Sequence, residues 1–258
     1  MRTILQINKF AYLQNNNIFF CKTDFISEIF KLLKDKDEDC TLITGNSDFE
    51  INDQVLLNAP KCIKRWFAQN ANTTAHFVSG LPIGIENNKH CIIYGHGHGW
   101  EHATQKVQLL QNPPIFDADK NIYANFSIDT HHTRKEIANI CLSIKSITND
   151  ISLSHNQINK KSYSKYANDI VQHRMTVCPR GNGIDCHRVW EVLYLGRVPI
   201  VKKETAMLHF KKLPILFLDD WEQLKDLSFI ESEYESVKNN SKRMLDVDFW
   251  NNKILFNE

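Results

Sequence analysis

The chain has 258 residues, of which 42% are hydrophobic, with 31 basic against 30 acidic side chains. That length can bury one full core or two small ones, and the near-neutral charge argues against a nucleic-acid binder held by counterion release. No apolar run reaches the ~18 residues of a membrane-spanning helix, so no transmembrane segment is expected and peripheral membrane association is left open.

Strand-like and helix-like segments alternate, as in α/β sheets. The amino end, Met1-Arg2-Thr3-Ile4-Leu5-Gln6, is too short and polar for a secretion signal. Apolar spacing predicts a helix over 25–33 and a buried strand over 40–45, with further strands over 63–68 and 76–85. The break at Gln111-Asn112-Pro113-Pro114 suits an interdomain linker. A second unit then starts with a strand over 121–128 and a helix over 135–144, and continues to a helix over 163–171. A short strand over 175–178 leads into a glycine-spaced turn, a helix closed by Gly196, and strands over 198–201 and 215–218. A charged helical run over 221–245 and an apolar-aromatic tail over 249–256 end the chain. The expected organisation is an amino-terminal unit over 1–113, a carboxyl-terminal unit over 114–245, and a segment over 246–258 packing back on the first unit. Seven cysteines with no close Cys-x-x-Cys spacing read as free thiols in a reducing, cytoplasmic compartment, with Cys178 and Cys186 as packing residues.

The turn Cys178-Pro179-Arg180-Gly181-Asn182-Gly183-Ile184-Asp185 is the most informative stretch. Gly181 and Gly183 let the backbone approach a ligand, so the amides of Gly181, Asn182 and Gly183 are candidates for a diphosphate. Asp185 is placed to cap the helix that follows, where unpaired N–H groups and the helix dipole favour an anion. Arg188 and Glu191 share one face of that helix, a guanidinium for phosphate and a carboxylate for sugar hydroxyls. Arg180 and Arg134 are candidate second cations. The reading is a nucleoside-diphosphate site at the carboxyl end of a parallel strand.

The block from Cys178 to Val201, with Leu213 to Trp221 after it, resembles the carboxyl half of exostosin-type glycosyltransferases, family 47 of the sugar transferases. Cys178, Pro179, Gly181, Arg188, Glu191, Gly196, Pro199 and Ile200 fill the family's pattern, while Val192 stands where an Ala is usual. Asn125-Phe126-Ser127 with Arg134, and Thr44 to Asp48 with Leu81 to Glu86, look like the shorter microbial and viral members. The resemblance implies a GT-B-like fold, with two Rossmann-like domains facing a cleft. It also implies an inverting transfer from a nucleotide-sugar, expected to be a UDP-sugar, to a glycan acceptor. Glu191 would hold the ribose. With arginines and a helix start to neutralise the leaving group, no divalent metal or other cofactor is expected.

Inversion needs a general base near the acceptor hydroxyl. Asp48, just after the strand over 40–45, is the first candidate and His98 the second, with Glu86 and Glu101 in reserve. Trp66 and Asn70 are candidate acceptor contacts. Two other functions compete. His96, His98 and His102 suggest a zinc-dependent hydrolase, although Trp100 sits where a β-lactamase-type metallo-hydrolase carries its acid. A non-catalytic nucleotide-sugar-binding module would keep Arg188 and Glu191 and lack the base. A Rossmann dehydrogenase is a poor fit, because no Gly-x-Gly-x-x-Gly follows the first strand of a βαβ unit.

Overall fold

The computed structural model describes residues 3–87, 103–152 and 163–256. A 3-10 helix (Ile7–Leu13) precedes β1 (Ile18–Lys22), α1 (Ile26–Leu33), β2 (Cys40–Gly45), β3 (Ile51–Asn52), α2 (Asp53–Leu56), β4 (Ile63–Ala68), β5 (Ala71–Asn72) and β6 (Val78–Gly80). Helix α3 (Ala103–Gln111) leads to β7 (Lys120–Ala124), α4 (Arg134–Ser143), β8 (Ile147–Asn149), α5 (Tyr163–Val171), β9 (His173–Val177) and α6 (His187–Tyr194). Next come β10 (Val198–Lys202), α7 (Thr205–Leu208), β11 (Leu216–Leu218), α8 (Leu227–Val237) and α9 (Val247–Phe256).

Two parallel sheets result. The first runs β1-β2-β4-β6, each strand added beside the last of that sheet, with β3 and β5 forming a small parallel pair of their own. The second runs β11-β10-β9-β7-β8. Starting at β7, its chain steps outward to β8 and then returns across β7 to β9. That reversal makes a switch point between β7 and β9, where open α/β sheets form a crevice at the strand carboxyl ends. The mixed α/β class with parallel sheets is compatible with a Rossmann-like fold.

Several elements differ from the sequence reading. The strand expected over 76–85 is only Val78–Gly80, since Pro82 cannot donate to a ladder. The strand expected over 121–128 stops at Ala124, after which the chain turns into a 3-10 helix at Ile128–Thr130. The single helical run expected over 221–245 is divided, because the side chains of Asp220 and Asp226 each cap a new start. Strands β1, β3, β5 and β8 were not foreseen.

One buried cluster lies at the first sheet around Leu42, Trp66 and Val78, and another at the second around Ile122, Met175 and Leu216. The largest cluster takes Ile4, Leu5 and Phe67 from the first half and Trp190, Leu193, Phe210 and Trp250 from the second. Tyr194 fastens this shared core: its Oη accepts from Leu5 N at 2.8 Å and donates to Leu245 O at 2.7 Å. The end of α9 reaches the first sheet too, where Arg65 donates to the carbonyls of Lys253 and Ile254. No helix among the described residues is long and apolar enough to cross a membrane.

Candidate nucleotide-binding site

Helix α6 carries the site, and its sequence explains its placement. Val189, Trp190, Val192 and Leu193 are buried, and Trp190 packs edge-on against Phe210 at 5.0 Å. Its end is a Schellman turn: Arg197 N bonds Val192 O at 3.0 Å, Gly196 N bonds Leu193 O at 3.1 Å, and Gly196 takes φ +78. At its start the expected cap is not made. The N-cap is Cys186, whose side chain makes no capping bond and instead contacts Pro179 O at 3.8 Å. Asp185 is drawn inward instead, accepting from Trp190 Nε1 at 2.7 Å and from Ile83 N at 2.8 Å. Burial pushes its carboxyl up to about 6, outweighing these hydrogen bonds.

The carboxyl ends of both sheets meet along this turn. Asp48, after β2, accepts from Gly183 N at 3.2 Å. Asn70, after β4, accepts from Asp185 N at 2.8 Å and donates to Ser47 O at 3.1 Å. Gly84 O contacts His187 Nδ1 at 2.7 Å. A Cβ on Gly183 would come within 2.9 Å of Asn70 Nδ2, whereas one on Gly181 would find nothing nearer than 3.7 Å. The seam is therefore tight at Gly183 and open at Gly181. Of the three amides expected to receive a diphosphate, that of Gly183 is already engaged by Asp48. Those of Gly181 and Asn182 make no backbone hydrogen bond among the described residues.

The three arginines divide sharply. Arg134, at the start of α4, is buried and donates to Arg180 O at 2.7 Å, Ser127 O at 3.0 Å and Pro179 O at 3.1 Å. These carbonyls belong to the loops after β7 and β9, so Arg134 braces the switch point from within. Burial, with the charge of Arg188 beside it, lowers its pKa to about 10. Arg180 is paired with Glu50 and Glu204, each at 3.3 Å, and bonds Asn182 O at 2.9 Å. Arg188 differs: its Nε is buried and has no hydrogen-bond partner among the described residues.

Glu191 was expected to be a cleft carboxylate but is only 4% exposed. Its Oε1 accepts from Lys106 Nζ at 2.9 Å and its Oε2 from Tyr166 Oη at 3.0 Å. Lys106 also bonds Glu86, whose Oε2 is buried without a partner among the described residues. Glu86 is thus engaged with a lysine rather than lining an acceptor path. Trp66 is fully buried in the core, with Nε1 on Thr44 Oγ1 at 2.9 Å, so it cannot touch an acceptor. Asn70, 2% exposed, serves the seam. Lys106, Tyr166, Glu50 and Glu204 escaped the sequence reading. Glu50 and Glu204 shared one signal with Asp48, that of a polar residue shortly after a buried strand. Cys178 is buried, Cys186 is half-buried, and both are free thiols. His96, His98, Glu101 and His102 lie outside the described residues. Among the described residues, no group of three or more His, Cys, Asp or Glu is placed to hold a metal.

A switch point in a parallel sheet, a glycine turn and an arginine whose Nε has no partner among the described residues are compatible with a Rossmann-like α/β protein. The chain belongs to the RXYLT1 C-terminal domain family, a xylosyltransferase-related, exostosin-like glycosyltransferase domain, whose model matches residues 116–254. No curated protein matches the chain. The family match gives the zinc-hydrolase alternative no support.

Proposed function

We propose that this chain is an inverting, GT-B-like glycosyltransferase of the family 47 type, moving a sugar from a UDP-sugar to a hydroxyl of a glycan acceptor without a metal. One observation carries the reading: Arg188 keeps a buried Nε with no partner at the carboxyl end of β9, beside the glycine turn. A buried donor left unsatisfied costs about 1–3 kcal/mol, and more when charged, so a ligand that fills it is strongly favoured. A diphosphate meets that need, with the amides of Gly181 and Asn182 and the uncapped start of α6 completing the cradle. Departure of the nucleoside diphosphate builds negative charge, which Arg188 stabilises in place of a metal. Arg134 acts by holding the cradle's two loops, and Arg180 supplies a cation already balanced by carboxylates. The acceptor enters along the seam from the amino half, where exposed Asp48 is the proposed general base and His98 the second candidate.

The test is metal-free thermal unfolding with UDP, GDP, CMP and their sugars. A ligand at ~100 times its Kd stabilises by about 2.7 kcal/mol. UDP or a UDP-sugar is expected to do this, and an absence of any shift from every nucleotide overturns the reading.

A further inference from the structure

Arg188 and Glu191 stand three residues apart on α6, a spacing at which a guanidinium and a carboxylate ordinarily pair. Here they do not hydrogen-bond, although Glu191 is near enough for its charge to act on Arg188. The reason lies on two other helices. Lys106 of α3 takes Glu191 Oε1 at 2.9 Å, and Tyr166 of α5 takes Oε2 at 3.0 Å. Lys106 is held in turn by Glu86, and its Nζ lies 4.9 Å from the ring centre of Tyr163. Burial opposes charge on Lys106, but Glu191 and Glu86 outweigh it and keep the ammonium protonated. Burial, reinforced by Glu191, keeps the Tyr166 phenol neutral and so able to donate.

We infer that Lys106 and Tyr166 are positioning residues: by holding both oxygens of Glu191, they keep it off Arg188 and leave that guanidinium open to the diphosphate. The inference rests on the anion-site reading above. It gives Glu191 a consequence different from ribose binding, since Glu191 becomes a competitor for Arg188 once its partners are removed. Two acceptors would then compete for Arg188, an internal carboxylate and an external phosphate, and the internal one is kept occupied elsewhere.

The test is calorimetric titration of the whole chain with inorganic pyrophosphate, and separately with UDP, in metal-free buffer. Lys106→Met should weaken pyrophosphate binding by at least about tenfold, the scale of one charged hydrogen bond. Adding Glu191→Gln to that variant should restore affinity to within about threefold of wild type, because the amide no longer competes as an anion. Tyr166→Phe, which deletes one oxygen and suits a buried site, should weaken binding by about threefold, again reversed by Glu191→Gln. It keeps the question answerable if Lys106→Met does not fold. Pyrophosphate has no ribose, so a Glu191 that acts as a ribose ligand would alter the UDP titrations alone. Wild-type affinity in Lys106→Met, or in Tyr166→Phe where Lys106→Met does not fold, overturns the inference and leaves the anion site standing. So does a loss that Glu191→Gln fails to reverse. A wild type that binds neither pyrophosphate nor UDP removes the anion site and the inference with it.

Discussion

The two sheets are built from the same parallel strands but differ in strand order, and the site follows that difference. In the first sheet the strands are laid down one beside the next, β1-β2-β4-β6, so no reversal opens a crevice. In the second, the return from β8 to β9 parts the loops after β7 and β9, and Arg134 fills the gap beneath them. The seam's chemistry divides the same way. The second half brings Arg134, Arg180, Arg188 and the glycine turn. The first half brings acceptors, Asp48 and Asn70 on the turn's amides and Glu50 on Arg180. Topology therefore decides which sheet carries the proposed anion site, and residues of the other sheet's loops fix the shape of its glycine turn.

Removing the brace should break this division most severely. Arg134→Met leaves the carbonyls of Ser127, Pro179 and Arg180 without their donor in a buried place. A loss of about 3 kcal/mol or more is expected in urea unfolding, with weakened nucleotide binding as a consequence. A stable Arg134→Met protein with selectively lost donor binding would instead make Arg134 a direct ligand.

Asp185 sharpens the comparison at the point where the halves join. Its folded pKa of about 6 lies above the ordinary aspartate value, so the native state binds its proton more tightly than the unfolded chain. Between about pH 4 and pH 6 the native state holds more protons, and stability from this group falls as pH rises. The effect is on the order of 3 kcal/mol, present below that window and lost above it. Asp185→Asn should flatten that part of the stability–pH curve relative to wild type, and equal slopes would show that the seam does not sense this proton.

The smallest expected change in stability belongs to the residue with the largest expected role in binding. Arg188→Lys keeps the charge but loses the planar fork that meets two phosphate oxygens. Because lysine keeps the charge in place, unfolding free energy should move little, while kcat/KM for sugar transfer or donor hydrolysis should fall at least about tenfold. Equal rates would return the guanidinium to the status of an ordinary helix charge.

What was legible in the sequence was local. Apolar spacing placed α1, α5, β2 and β4 closely, and glycine and proline punctuation placed the turn, α6 and β10. Arg188 was legible because its helix start is written in adjacent residues. Glu191 was visible as a residue, but its partners Lys106 and Tyr166 lie 85 and 25 positions away and share no period with it. The Asp48 bond to Gly183 spans 135 positions and the Arg180 pair with Glu50 spans 130. Nothing in a helix or strand pattern encodes such distances. Short strands such as β3 and β5 were missed for a related reason, since two residues cannot display a period and exist here because they pair with each other.

Tyr194 also bears on the order in which this protein acquires its shape during synthesis. The hydroxyl at the end of α6 is bonded on one side to Leu5 and on the other to Leu245. A ribosome has released Leu5 long before either α6 or Leu245 emerges, so the amino-terminal bond must wait for the helix and the carboxyl-terminal bond for Leu245. Contacts of such long sequence separation form late and slowly. The helix that carries Arg188 is therefore anchored on both sides only once Leu5 and Leu245 have both been brought to it.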